Sequence, residues 1–349
     1  MPDLELLPDV HDVALLQITI QNPTSYATAS PHVQHIAIQD AYLSWLLGVP
    51  IDVRKIAFAD PQANALAPSW YSLFDGAYHH FFIKTGQIPA SSSYTLYLIY
   101  SYKRTLLDGK TVGISAWAGL QLFGIPYGQL DNGSSIFLLY DNFAGTSLSS
   151  AWTQNLNGGS ISVNNGLTMT LPSSASNNLG LVRSVSVPSI GATVYTLFDV
   201  LQCCGCSGGN DFAIDLGNSL TIPGGGSANS YEVTHFGCGG NCYPVSKIVN
   251  GSRTVFTYVS NSVPCGNYTN VSIFFEWLYT TQSYLYRTIS VGVTTSVTDN
   301  TFTPSAISQL LLGIYKPGSN TTSYLIHHVA VYDPPPVQPD LPISISPTF

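Results

Sequence analysis

Tyr140-Asp141-Asn142-Phe143-Ala144-Gly145-Thr146-Ser147-Leu148-Ser149-Ser150-Ala151-Trp152 is the stretch on which the reading of this chain turns. It lies where the character of the sequence changes. Just upstream, turn residues concentrate at Gly124-Ile125-Pro126-Tyr127-Gly128 and Asp131-Asn132-Gly133, and the apolar run Ile136 to Tyr140 then predicts a strand. Downstream the chain is rich in Ser, Gly and Asn and breaks into short strand-like runs: Ile161 to Val163, Leu167 to Leu171, Val194 to Val200, Phe212 to Leu216, Val255 to Tyr258, Val271 to Leu278, Tyr284 to Val291, Leu310 to Tyr315 and Leu325 to Tyr332. That is a strand count for two packed sheets.

Working back towards residue 1, Leu15 to Ile20 alternates with the period of a half-buried strand and ends at Asn22-Pro23-Thr24. Val53 to Phe58, His79 to Ile83 and Tyr94 to Tyr100 repeat the signal, while Ala41 to Leu47 reads as a short helix or a loop. The predicted fold is all-β, two β-sandwich, jelly-roll-like domains in tandem at 1–137 and 138–333. Residues 334–349, with Pro334-Pro335-Pro336, Pro339, Pro342 and Pro347, read as an extended tail that joins neither a helix nor a central strand.

Composition supports the same class. Of 349 residues, 45% are hydrophobic and 9% charged, and the 21 Tyr, 30 Gly and 22 Pro favour strands and turns. Soluble domains carry roughly 25% charged residues, so the polar surface here falls to Ser, Thr, Asn, Gln and Tyr. A net charge of −8, from 19 acids against 11 bases, provides no basic patch for a phosphate backbone, so no nucleic-acid partner is expected. No apolar run approaches the ~20 residues of a membrane span. The opening Met1-Pro2-Asp3-Leu4-Glu5 lacks the features of an export signal. Expected routes to the outside are removal of a leader or release as part of a particle.

The stretch Tyr140 to Trp152 resembles the opening of a concanavalin A-like, laminin-G-type jelly roll, in which an aromatic-Asp-x-Phe strand leads through a Gly-Thr-Ser-Leu loop to a buried Trp. Ser160 to Leu171, turning at Asn164-Asn165-Gly166, resembles the first hairpin of such domains, and Tyr324 to Asp333 their closing strand. Upstream, Leu15 to Ser25, Asp52 to Asp60, Pro68-Ser69-Trp70 and Ile88 to Tyr100 resemble an uncharacterised domain family. That family sits directly before such jelly rolls in surface proteins of prokaryotes, especially archaea. Gly124 to Phe143 resembles the linker and strand of proteins from hot-spring archaea and their viruses, whereas Lys103 to Phe123 departs from the compact pattern. The resemblance implies no catalytic residues.

Candidate sites are few. Cys203, Cys204, Cys206, Cys238, Cys242 and Cys265 crowd into one window and read as local disulfides, or as a zinc site with His235 nearby. Asp211 and Asp215 share one face of a strand and form a weak calcium pair, with solvated strand-end acids as the plainer reading. Sequons at Asn132, Asn250, Asn267, Asn270 and Asn320 are candidate N-glycosylation sites. His79-His80 and His327-His328 place one ring on each side of a strand and read as packing and surface residues. Trp45, Trp70, Trp117, Trp152 and Trp277 could stack on sugars, with core packing the stronger reading for all but one or two. Only Glu232 and Glu276 are glutamates in the second half, without the Glu-x-Asp-x-x-Glu strand a glycan hydrolase of this fold would carry, so no enzyme is expected. The expected function is a non-enzymatic structural or adhesive exterior protein, such as a turret, spike or coat subunit of an archaeal virus. The alternative is a glycan-binding, lectin-like protein of a cell surface or secretion, and a glycan-active hydrolase ranks last. Expected partners are further copies of the chain, covering sandwich edges that few charges guard, other coat proteins, and glycans.

Overall fold

The computed structural model describes residues 12–62, 65–202, 211–223, 225, 228–235, 243–259, 268–278, 283–288, 294–299, 301–315, 320–333 and 344–347. It is built of strands, and the chain divides into two compact units, Met1–Phe137 with Asp333–Phe349, and Leu138–Tyr332.

In the first unit β1 (Val13–Asn22), β2 (His32–Gln39), α1 (Asp40–Leu47), β3 (Ile56–Ala59), β4 (Leu66–Ala67), β5 (Ser69–Phe74), β6 (Tyr78–Thr85), β7 (Ser92–Ser101) and β8 (Val112–Ile114) are followed by α2 (Ala116–Phe123) and α3 (Gly133–Ile136). One sheet runs β1-β7-β3-β4 and the other β2-β6-β5-β8. Alternation along each strand turns one set of side chains inward. Leu16, Ile18, Leu96, Leu98 and Phe58 of one sheet meet Ile36, Ile38, Phe81, Ile83 and Tyr71 of the other in one core. The strand Ser344–Pro347 pairs antiparallel with β1, Leu16 opposite Pro347, so part of the proline-rich segment completes the edge of this sheet. His32 Nδ1 bonds to Asp333 Oδ2, and Val33 donates its N–H to Asp333 Oδ1 at 3.1 Å, holding the returning chain to β2.

The second unit contains β9 (Leu139–Asp141), β10 (Thr153–Asn155), β11 (Ser160–Val163), β12 (Leu167–Leu171), β13 (Leu179–Ser184), β14 (Gly191–Gln202), β15 (Asp211–Asn218), β16 (Asn229–His235), β17 (Tyr243–Val249), β18 (Ser252–Val259), β19 (Tyr268–Leu278), β20 (Ser283–Thr288), β21 (Thr294–Thr298), β22 (Gln309–Tyr315) and β23 (Thr322–Tyr332). Seven strands form one sheet, β10-β13-β22-β15-β16-β17-β18. The other sheet runs β11-β12-β23-β14-β19-β20-β21 and has β9 against β23. Leu179, Leu181, Phe212, Ile214, Leu310 and Leu312 of the first face Leu167, Met169, Val194, Ile273, Phe275 and Ile326 of the second across a single core.

The deciding stretch is built as its residues imply. Phe143 and Trp152 are buried, Trp152 Nε1 donates to Asp141 Oδ2 at 2.8 Å, and Asp141 Oδ1 accepts the Phe143 N–H at 2.9 Å. The opening strand β9 pairs with the closing strand β23, and β11 and β12 form the hairpin that turns through Asn165 and Gly166, both at positive φ. Two local expectations fail. Ile136 to Tyr140 is not one strand: Ile136 ends α3, and pairing starts at Leu139. Val53 to Lys55 form a 3-10 turn because Asp52 accepts the Arg54 N–H, and the strand begins at Ile56. Among the described residues no helix is long and apolar enough to cross a membrane.

Candidate functional site

Helix α1, Asp-Ala-Tyr-Leu-Ser-Trp-Leu-Leu, buries Leu43 and Leu47, one turn apart, against the first-unit core. Its opposite side carries Tyr42 and Trp45, also one turn apart. Their rings stack 6.1 Å apart at 23°, and Trp45 is 74% exposed, Tyr42 40%. Gly48, at φ 68°, ends the helix in a left-handed turn that a β-carbon would strain, and its N–H bonds to Ser44 O.

The turn between β5 and β6 is tied to the head of this helix. Asp40 N donates to Ala77 O at 2.9 Å, and His79 Nε2 bonds to the half-exposed Asp40 carboxylate at 2.9 Å. Burial pushes the His79 imidazole below its usual range against the pull of Asp40. Asp75 shapes the turn, its Oδ1 accepting the N–H groups of Ala77 and Tyr78 at 2.8 and 2.7 Å and its Oδ2 bonding to His80 Nε2 at 2.9 Å. Burial works against the charge, yet these three bonds hold the Asp75 carboxyl at about 2. Phe74 and Tyr78, on either side of the turn, are exposed. The first unit thus presents stacked rings on a rigid helix, with a carboxylate at its head and two more exposed rings on the adjoining turn.

Of the tryptophans named from sequence, Trp70, Trp152 and Trp277 are buried, Trp117 is half-buried and Trp45 alone lies open. The four histidines are all buried, which corrects the surface half of their reading. His80 bonds to His35 Nε2 at 3.0 Å, and His327 occupies the bulge where β14 and β23 shift register. Asn132 is 5% exposed, and its Nδ2 donates to Ser69 O, Lys110 O and Thr111 O, so in the folded chain this amide is engaged in holding the loops together. Asn250 and Asn270 are exposed, Asn320 half-buried. Asn267, all six cysteines and the side chain of His235 lie outside the described residues.

Asp211 and Asp215 do share one face of β15, but they are 0% exposed, not solvated. Four residues of strand separate them by about 13 Å, too far for one ion to touch both. Among the described residues no three His, Cys, Asp or Glu side chains gather as a metal-binding group. Asp215 lies directly opposite Glu232 of β16, an acid pair that single-strand motifs did not reveal. Glu232 is also 0% exposed. On the same sheet, Thr221 to Pro223 pass so closely that a β-carbon on Gly180 or Gly313 would come within 2.4 Å of Thr221 O or Pro223 Cγ. A glycosidic bond cannot reach carboxyls buried in this way, whatever their separation.

No protein-family model matches the chain, and no curated protein matches it. Among solved structures it is similar to the metal-free carbohydrate recognition domain of Emp46p, at 12% identity and a TM-score of 0.36, over 52% of this chain and 88% of that one. It is likewise similar to the carbohydrate-binding module CBM66 from Bacillus subtilis, at 12% identity and a TM-score of 0.36, over 52% and 95%. A third is the carbohydrate esterase vb_24B_21 from the Shiga toxin-encoding bacteriophage phi24B, at 11% identity and a TM-score of 0.39, over 57% and 99%. At these scores the likeness carries no ligand and no reaction to this chain, and its β-sandwich architecture stands on its own strands.

Proposed function

We propose that the protein is a non-catalytic, glycan-binding component of an exterior biological surface. The observation that carries this reading is the Tyr42–Trp45 pair. An indole left 74% in water on an ordered helix forgoes the burial that stabilises Trp70, Trp152 and Trp277. Such a ring presents a flat apolar face, and a sugar ring offers a matching face of C–H groups with hydroxyls around its rim. Aromatic contact supplies affinity, while polar groups set orientation. The Asp40 carboxylate at the head of the same helix suits the second task.

Assignment to an archaeal cell surface or to the turret, spike or coat of an archaeal virus rests on the sequence resemblance of the first unit and on the scarcity of charge. Mass spectrometry of purified particles tests that part, and recovery of the protein only from cytosol would sink it.

Glycan-array binding and calorimetry on the full chain test the ligand. We expect binding of neutral glycans that Trp45→Ala weakens about tenfold or more, on the scale of 1.4 kcal/mol. A wild-type chain that binds nothing, with or without calcium, or a Trp45→Ala chain that binds equally well, overturns the reading.

A further inference from the structure

The outer face of the seven-stranded sheet holds ionisable groups that glycan binding does not use. Along β15, Phe212, Ile214 and Leu216 enter the core, so Asp211, Ala213 and Asp215 face the other way. Neighbouring strands add Ser230, Glu232 and Thr234 from β16, Ser246 from β17, Arg253 from β18 and Tyr315 from β22, each in register with this face. Lys247 of β17 turns to the opposite side and pairs with Asp299 at 2.7 Å.

Arg253 is the one cation described on this face. Its guanidinium donates to Glu232 Oε1 at 2.7 Å, to Ser246 Oγ at 3.1 Å and to Thr234 Oγ1 at 3.4 Å, and lies 5.0 Å from the centre of the Tyr315 ring. Both oxygens of Asp211 and Oε2 of Glu232 make no hydrogen bond among the described residues, and Asp215 has no charged partner, with only the Ser230 hydroxyl beside it. Three ionised carboxylates against one guanidinium would leave two negative charges in a place closed to water. Buried acids in that position take up protons instead, because the unpaired charge costs far more than neutralisation. Burial, with the charge of Glu232 beside them, drives Asp211 and Asp215 well above the usual carboxylate range, against the pull of Arg253 and, at Asp215, of the Ser230 hydroxyl. Burial raises Glu232 too, opposed by Arg253 and Ser246.

We propose that this face is a proton-held clamp whose support of the second unit is greater in acid than at neutral pH. Glu232 pairs with Arg253, and Asp211 and Asp215 stay as neutral acids. The sign follows from linkage: in the unfolded chain both aspartates release their protons near pH 4, while the folded chain keeps them. The stability these two acids contribute is therefore full below that pH and falls as pH rises towards the folded-state titration, by up to about tenfold in the folding constant per pH unit for each acid.

The test is denaturant unfolding of the full chain between pH 4 and pH 8, with hydrogen exchange resolving the second unit, for wild type and for Asp211→Asn/Asp215→Asn. Asparagine keeps the shape and cannot ionise. As pH rises the wild type should lose stability relative to the double variant, which should be the more stable of the two at pH 8. Parallel profiles overturn the proposal. So does a wild type that calcium stabilises at pH 8, since the face would then hold a cation in place of protons. Should the double variant fail to fold, the infrared spectrum of the wild type at pH 7 decides. Absorption from two protonated carboxyls supports the clamp, and its absence overturns it.

Discussion

Asp75 and Asp215 are the same side chain held in opposite charge states. In the first unit Asp75 shapes a turn, where two backbone N–H groups and His80 converge on it and keep its carboxylate charged. In the second unit Asp215 lies mid-strand on a covered sheet face, where the backbone N–H groups belong to the sheet ladder and only side chains can answer it. The difference teaches that, in a chain with 9% charged residues, the position of an acid on its element decides its proton. Turn acids are stabilised by donors that a turn leaves over, whereas sheet-face acids depend on neighbouring strands.

The largest effect should come from Arg253→Met. With the cation gone, buried Glu232 has lost its counter-charge, and the second unit should lose about 3–5 kcal/mol at pH 7, with the loss shrinking towards acid pH. Denaturation profiles at pH 7 and pH 4 measure this, and an equal loss at both would break the contrast. Asp75→Ala should cost the first unit about 1 kcal/mol near neutrality through the lost turn bonds. Because the folded carboxyl is depressed to about 2, its stabilisation is present above pH 4 and vanishes as pH falls through about 2, where variant and wild type should converge. Hydrogen exchange at Ala77 and Tyr78 follows it. Asp52→Asn should change stability by no more than about 0.5 kcal/mol, since its ion pair with Arg54 is partly exposed and an Asn still caps the 3-10 turn. A loss above 2 kcal/mol there would show that half-buried acids matter as much as fully buried ones.

Much of the fold was legible because its signals are local. Asp141, Phe143 and Trp152 sit within one short segment and bond to one another, so their pattern could be read directly. The strand His32–Gln39 escaped notice because its buried positions include His32, Gln34 and His35, which break apolar alternation. Strands β16 and β17 escaped for the same reason: Ser230, Glu232, Thr234 and Ser246 are polar yet fully covered. Period-2 spacing showed that Asp211 and Asp215 share a face. It could not show what covers that face, nor that Glu232, 17 positions beyond Asp215, lies opposite. Trp45 was one of five candidates, and which ring stays open depends on Leu43 and Leu47 facing inward, a matter of packing.

The bonds of His32 and Val33 to Asp333 join residues 301 and 300 positions apart, and the whole second unit lies between them along the chain. On a ribosome adding about 5–20 residues per second, β2 would wait about 15–60 s for that partner to be made. The second unit closes β9 against β23 only when its own last strand appears, so it can finish folding before the first unit does, although it starts later. The earliest part of the chain is thus the last to be completed, and the edge of β1 that Ser344–Pro347 covers stays open while the whole second unit is being made.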